Sequence, residues 1–341
     1  MARKVRIGIL GCANIARKYA IRAFQSIPNA EMVSIASRDP AKAAAFAAEF
    51  GIEALPSYEA LLERDDIDAV YVPLPIGLHK EWVLKALRCG KHVLCEKSLA
   101  EDFGAAREMV EEAEKTGLVL YENFMCEFHP QHREVLALIE KGGIGELRVF
   151  QGYFGFPMMR EDDFRYSREL GGGSLNDAGA YTVFMARKLF EEEPTAVFAR
   201  LSMDDYKGVD MKGEALLEFP GEKTALLAFS FGSVYQNNYS LWGKSGLVRV
   251  KRAYSISPDA TPDVELVKNE NLKETLARLD IPAANQFELL FRDFCETVLH
   301  HSEEKKKIAD RYETMLAQAR VLEAIRMSSA EGRRVLVREI G

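Results

Sequence analysis

The chain has 341 residues, 48% of them apolar, which is enough for a substantial core and for two domains. Its net charge of −7 is spread over mixed charges, and no basic block addresses nucleic acid or an anionic membrane. The basic-then-apolar start MARKVRIGILGCANIA is too short and too rich in turn residues for a signal peptide, and no apolar run spans a bilayer, so a soluble cytoplasmic protein is expected. Five cysteines (Cys12, Cys89, Cys95, Cys126, Cys295) form no C-x-x-C pair, which excludes a disulfide framework or zinc site and predicts reduced thiols. His129 and His132 fall i, i+3 at a helix start but lack a third ligand, so no metal is expected.

In chain order, the apolar runs KVRIGIL, EMVSIAS, AVYVPL, KHVLCE and GLVLYE read as strands. Between them NIARKYAIRAFQSI, PAKAAAFAAEF, LHKEWVLKALRCG and FGAAREMVEEAEKTG have helix-forming composition and end near Gly or Pro. That alternation predicts α/β architecture, a doubly wound parallel sheet over residues 1–124 with its ligands beyond the carboxyl ends of the strands. From residue 125 the rhythm changes. A helix PQHREVLALIEKG leads to the strand ELRVFQGYFGF, a Gly-rich turn and the helix DAGAYTVFMARKLF. The runs TAVFARLSMD, EALLEFP, TALLAFSFGSVY, NYSLWG and GLVRVKRAYSI then read as strands, with PGEK and GKSG as hairpin turns. Helices over roughly 284–300 and 308–328 and a short strand in RRVLVREI close the chain. Residues 125–341 thus form an α+β domain, a large open and mostly antiparallel sheet with helices on one face; a second copy of the chain would cover the other.

The first strand runs into GCANIA, which puts Gly11, Ala13 and Ala16 at the small positions of a G-x-G-x-x-G/A dinucleotide turn. Gly11, Cys12, Ala13, Asn14 and Ile15 would offer backbone N–H groups and a helix N-terminus to a pyrophosphate. The second strand ends in SRDPAKA. An acid there would hold a ribose 2′-hydroxyl, whereas Ser37, Arg38 and Lys42 suit a 2′-phosphate, and Asp39 before Pro40 reads as a helix N-cap. NADP(H) is the expected cofactor. The strands ending in VPLPIGLH and CEKS bring Leu74, Pro75, His79, Glu96 and Lys97 to the carboxyl edge, and Asn123 ends the next strand. Lys97 is a candidate proton donor to a carbonyl that receives hydride, and Glu96 is no ready partner for it, because strand neighbours point to opposite sides. Asp177 and Tyr181 fall i, i+4 on one helix and would face one side of a cleft.

The segments GILGCANIA, SRDPAKA, DDIDAVYVPLPIGLHKEWVLKALRCGKHVLCEKSLA, ENFM with FHPQHR, and GGGSLNDAGAYTVFMAR resemble, in order and spacing, the glucose-fructose oxidoreductase/inositol dehydrogenase/rhizopine catabolism (Gfo/Idh/MocA) family over essentially the whole chain. The resemblance implies a Rossmann domain, a C-terminal domain whose open sheet makes a homodimer or homotetramer, and hydride transfer at a sugar or polyol carbon. It implies that Lys97, in the family's E-K-P motif, hydrogen-bonds the reacting oxygen; Ser98 stands where proline is usual. It also implies roles for Asp177 and Tyr181, the tyrosine standing where inositol-type members have histidine. GCANIA, ENFM and NNYSLWGKSGLVRVKRAYS resemble in particular the nucleotide-diphosphate-hexose 3-ketoreductases of deoxysugar biosynthesis. The expected activity is then C3 reduction of a nucleotide-linked keto-deoxyhexose. A diphosphate and a base call for cations and aromatic or amide groups, for which Arg160, Arg165, Arg168, Tyr166, Tyr235, Asn237 and Asn238 are candidates alongside Lys97, Asp177 and Tyr181; Arg165 is also a candidate for the cofactor. The alternatives are an aldose or trans-dihydrodiol dehydrogenase and a regulator that binds dinucleotide without turnover.

Overall fold

Apolar runs buried on both faces build the first sheet. A computed structural model describes residues 3–270 and 273–341 of the chain. Strands β1 (Val5–Leu10), β2 (Ala30–Ala36), β3 (Glu53–Leu55), β4 (Ala69–Val72), β5 (His92–Glu96) and β6 (Leu120–Asn123) pair in parallel in the order β3-β2-β1-β4-β5-β6. Ile7, Ile9, Val70, Tyr71 and Leu94 have no accessible surface, which is why these strands read as continuous apolar runs without alternation. The order reverses between β1 and β4 and opens a crevice at the carboxyl ends there. Helices α1 (Ile21–Ser26, entered through a π turn at Ala16–Ala20), α2 (Pro40–Phe50), α3 (Tyr58–Leu62), α4 (His79–Arg88) and α5 (Phe103–Thr116) supply the crossovers. The sequence reading missed β3 and α3, since three and five residues around Pro56 are too short to show a period.

The second unit holds α6 (Pro130–Glu140), β7 (Leu147–Phe156), a π turn at Leu175–Gly179 that opens α7 (Ala180–Phe190), and strands β8 (Ala196–Asp204), β9 (Val209–Glu218), β10 (Thr224–Phe231), β11 (Gln236–Gly243), β12 (Gly246–Lys251), β13 (Asp263–Glu270) and β14 (Lys273–Arg278). Helices α8 (Gln286–Leu299) and α9 (Lys305–Glu331) and strand β15 (Val335–Leu336) follow. The sheet order is β14-β13-β12-β11-β7-β10-β9-β8-β15, antiparallel except where β7 pairs with β10. The expected strand GLVRVKRAYSI stops at Lys251: Arg252 turns into the left-handed region (φ 55°) and sends Ala253 and Tyr254 into the core. The β13–β14 hairpin escaped the sequence reading because DVELVKNE and KETLAR are charged and β14 leaves every side chain exposed.

One sheet face packs on α7, where Tyr181 meets Phe154 edge to face at 5.3 Å. On the other, register sets Phe198 beside Leu216 and Leu216 beside Leu226, and Phe198, Leu226, Tyr153 and Trp242 lie exposed. By contact, residues up to Met125 cluster with Phe287–Leu316, and Cys126–Gln286 with Ala317–Gly341, so the chain returns to its first unit late. In that return Phe291 stacks on Phe24 at 4.0 Å and Asp293 accepts a hydrogen bond from Tyr121 at 3.0 Å. No described helix is long and apolar enough to cross a membrane.

Candidate active site

At the crevice, Gly11 turns with φ +114°, and a Cβ there would lie 2.8 Å from Leu74 Cδ2, so the turn has no room for a side chain. Ala13 and Asn14 are not buried, while Ala16 is wholly buried against the sheet, as close helix–strand packing requires. Asp39 spends its carboxylate on α2, accepting from the N–H groups of Ala41 (3.0 Å) and Lys42 (3.2 Å). Arg38 and Lys42 stand exposed beside it, and Ser37 Oγ accepts from the Asp39 N–H at 3.2 Å. A strand end with two exposed cations and an acid already committed to a cap fits a 2′-phosphate better than a 2′-hydroxyl. Burial pushes the Cys12 thiol upward, against the Ser37 hydrogen bond and the Lys42 charge, which keeps it a packed thiol within the turn. Tyr58, missed in the sequence, is buried on α3 against Trp82 (4.7 Å, edge to face), and its hydroxyl neighbours Gly11 and Arg38.

Along the carboxyl edge, Lys97 follows the last residue of β5 and is half-buried, and the Lys97–Ser98 peptide is cis. Glu96 Oε1 accepts from Tyr71 Oη (2.6 Å) and Asn123 Nδ2 (2.6 Å). Burial raises the Glu96 pKa, while those two bonds and the Lys97 charge pull it down. Two expected cofactor contacts lie in the interior. Asn123 has no accessible surface and serves to hold Glu96. His79 is likewise wholly buried: Nδ1 lies 3.0 Å from the Ser98 carbonyl and 3.1 Å from that of Leu99, and Nε2 lies 2.8 Å from the Leu74 carbonyl. Burial lowers its pKa, and the three carbonyls oppose that shift. Buried Glu122, also missed, accepts the Leu99 N–H at 2.7 Å.

In the second unit, Asp177 lies in the π turn and Tyr181 on α7, so the regular i, i+4 relation expected from the sequence is interrupted by the wider turn. Arg165 Nε donates to Asp177 Oδ2 at 2.6 Å and Nη1 to Asp163 Oδ1 at 3.1 Å, and the guanidinium lies 4.6 Å from the Phe164 ring centre. Burial works against that cation, but the two carboxylates outweigh it and raise its pKa. Arg165, expected at cofactor and diphosphate, is thus matched by two acids and holds Asp177. Asp210 on β9 fixes the turn itself, with Oδ2 accepting from Ser174 Oγ (2.6 Å) and the Leu175 N–H (2.7 Å). No motif marked it in the sequence.

The remaining substrate candidates diverge. Tyr166 is buried and its hydroxyl accepts from the Met159 N–H at 2.8 Å. Asn237 is buried and fully committed: Nδ2 donates to Tyr235 Oη (2.9 Å) and the Ser255 carbonyl (2.7 Å), and Oδ1 accepts from the Tyr254 N–H (2.7 Å). It braces the segment after Arg252 and does not reach for substrate. Asn238 pairs in register with Tyr153, on the sheet face opposite Phe154 and Tyr181, so it shares no site with Tyr181. Tyr235 is exposed, with the Arg252 guanidinium 4.6 Å from its ring centre. His129 caps α6 by accepting from Gln131 N–H (3.2 Å), and His132 is buried between the Ala253 carbonyl (2.8 Å) and Tyr239 Oη (3.0 Å).

Residues 5–124 match the oxidoreductase family with NAD-binding Rossmann fold, and residues 132–249 match the GFO/IDH/MocA C-terminal domain. The chain is 39% identical over 330 residues to the dTDP-3,4-didehydro-2,6-dideoxy-alpha-D-glucose 3-reductase of Saccharopolyspora spinosa, covering 95% of this chain and 97% of that protein. The crystal structure of KijD10, a 3-ketoreductase from Actinomadura kijaniata in complex with NADP and TDP-benzene, superposes with a TM-score of 0.90 at 37% identity, over 96% of this chain and 98% of that one. That enzyme has also been solved with a lysine and, separately, a tyrosine replaced, and the two positions lie as far apart in its chain as Lys97 and Tyr181 do here. The aldose-aldose oxidoreductase of Caulobacter crescentus matches at a TM-score of 0.86 and 28% identity, over 98% of this chain and 100% of that one. The chain belongs to the GFO/IDH/MocA oxidoreductase family, as its motifs implied.

Proposed function

We propose that the chain is an NADP(H)-dependent sugar oxidoreductase that reduces the C3 ketone of a dTDP-linked keto-deoxyhexose. The observation that carries this reading is a lysine delivered by β5 to the carboxyl edge of a sheet whose second strand ends in two exposed cations. NADPH, when bound, supplies the hydride. The N–H groups of Gly11, Cys12, Ala13, Asn14 and Ile15 would hold its pyrophosphate, and Ser37, Arg38 and Lys42 its 2′-phosphate, with Leu74 and Pro75 on the same edge. Lys97 hydrogen-bonds the substrate oxygen, which draws electron density from the carbonyl carbon, and Lys97 and Tyr181 together manage the proton that oxygen acquires. Asp177, fixed by Arg165, sits in the turn that opens the helix of Tyr181. Residues 1–124 serve the cofactor and 125–341 the substrate and self-association, with Phe287–Leu316 returning to brace the first unit. The exposed Phe198, Leu226 and Trp242 favour a homodimer or homotetramer closed through the open sheet face.

The test is turnover of a dTDP-linked 3-ketosugar with NADPH, with the product identified by mass spectrometry. Lys97→Ala should lower kcat by about 10² or more, the scale of losing a general acid. Near-wild-type turnover in that variant would remove Lys97 from the chemistry. Likeness to the Caulobacter enzyme favours one second reading, oxidation of a free aldose by the same lysine and tyrosine with no diphosphate site. Thermal shift of the NADPH complex separates the two: stabilisation by dTDP and not by free sugars supports the first, the reverse the second. NADPH binding without turnover on a broad sugar panel would point to a regulator.

A further inference from the structure

The backbone that follows Lys97 is held from two sides. Glu122, buried on β6, takes the Leu99 N–H at 2.7 Å. His79, at the start of α4, turns Nδ1 to the Ser98 and Leu99 carbonyls (3.0 and 3.1 Å) and Nε2 to the Leu74 carbonyl (2.8 Å) of the loop that packs on Gly11. Carbonyl oxygens only accept, so the ring can bond to either loop only through a nitrogen that carries its proton. Ser98, at 2% exposure, and Leu99, also at 2%, have no water to replace those bonds. From this geometry we infer that His79 is a positioning residue for the reaction: with the ring proton on Nδ1, the nitrogen that faces two carbonyls, it fixes Ser98 and Leu99 and thereby the placement of the Lys97 side chain. This rests on the proposed role of Lys97, but concerns a residue wholly buried in the interior.

Three substitutions separate donor position from bulk. In His79→Asn the amide N–H occupies roughly the place of Nδ1, in His79→Gln that of Nε2, and His79→Leu fills volume with no donor. The expected result is a loss of kcat of about tenfold or more in His79→Leu and His79→Gln, the scale of a catalytic group displaced by a fraction of an ångström, with His79→Asn within about threefold of wild type. KM for NADPH should change less than kcat in all of them, because Ser37, Arg38 and Lys42, proposed to hold the 2′-phosphate, lie beyond the end of another strand. Wild-type kcat in His79→Leu, or better rescue by Gln than by Asn, overturns the inference; if His79→Leu does not fold, the Asn-to-Gln comparison decides alone. A second readout does not depend on turnover. With lysines reductively 13C-methylated and the Lys97 resonance identified by its loss in Lys97→Ala, that resonance should move in His79→Gln and return in His79→Asn. An unmoved resonance rejects the positioning role. Absence of turnover in the wild-type chain with a normal resonance pattern would instead reject the proposed substrate.

Discussion

Asp210 offers the sharpest test of how the second unit holds its functional helix. Its Oδ2 alone accepts both the Ser174 hydroxyl (2.6 Å) and the Leu175 N–H (2.7 Å), and its Oδ1 fills the space where a Cβ on Gly173 would lie. Hydrogen bonds to a charged acceptor contribute about 1.5–3 kcal/mol each, and removing the acceptor leaves two buried donors unsatisfied. Asp210→Ala should therefore cost about 3–5 kcal/mol, which lowers the melting temperature of a unit this size by roughly 6–20 °C. Asp210→Asn can place its amide oxygen at the Oδ2 position and keep both bonds with a neutral acceptor, so it should cost only about 1–2 kcal/mol. Calorimetry of the two variants checks the order, and kcat should fall further in Asp210→Ala because the turn carries Asp177 into the helix of Tyr181. Equal destabilisation by Ala and Asn, or an Asp210→Ala melting temperature within about 2 °C of wild type, would refute the argument that acceptor geometry fixes this turn.

The other expectations are simpler. Arg38→Ala should raise the NADPH dissociation constant about tenfold or more while leaving NADH within about twofold, the cost of one charge-assisted phosphate contact; fluorescence titration of both nucleotides measures it. Burial holds His92 down to about 4 and His132 down to about 3. Both lie below the usual 6.5, so the native state binds fewer protons than the unfolded chain, and their stabilisation is complete above pH 6.5 and lost as pH falls towards about 4 for His92 and about 3 for His132. Urea unfolding at pH 5 should show about 2 kcal/mol lost per histidine relative to pH 7.5, and a flat profile would refute this. Trp242→Glu or Phe198→Glu on the open sheet face should shift the sedimentation equilibrium to the monomer without loss of NADPH binding, and an unchanged mass would exclude that face as the interface.

The parallel sheet was legible because burial on both faces leaves a continuous apolar run that composition alone reveals. The cofactor turn was legible because Gly11, Ala16 and the Asp39–Pro40 cap are required by backbone geometry, which leaves a local trace. Local rules failed where a residue's position depended on its neighbours in space. The charged β13–β14 edge carries no apolar face to announce it, and Asn238 could be assigned to a face only once its register with Tyr153 was known. Arg165 read as a free cation because nothing in FRYSREL discloses that Asp177 and Asp163 converge on it.

The deeper division lies between side chains that touch ligands and those that hold backbone. Lys97, Arg38 and Gly11, the residues proposed to meet ligands, sit in short motifs because such a role constrains the immediate neighbours. His79, Glu122 and Asp210 each act on backbone 19–35 positions away, and any acceptor or donor arriving from elsewhere in the fold could do the same, so no local pattern betrays them. His79 shows the consequence most clearly. Its place in VPLPIGLH put it at the right edge of the right sheet and suggested a ligand, yet the fold buries it and turns both nitrogens onto carbonyls. Position in a motif thus locates a residue at a site, whereas burial and hydrogen-bond partners decide whether it meets the ligand or the loop that carries the residue which does.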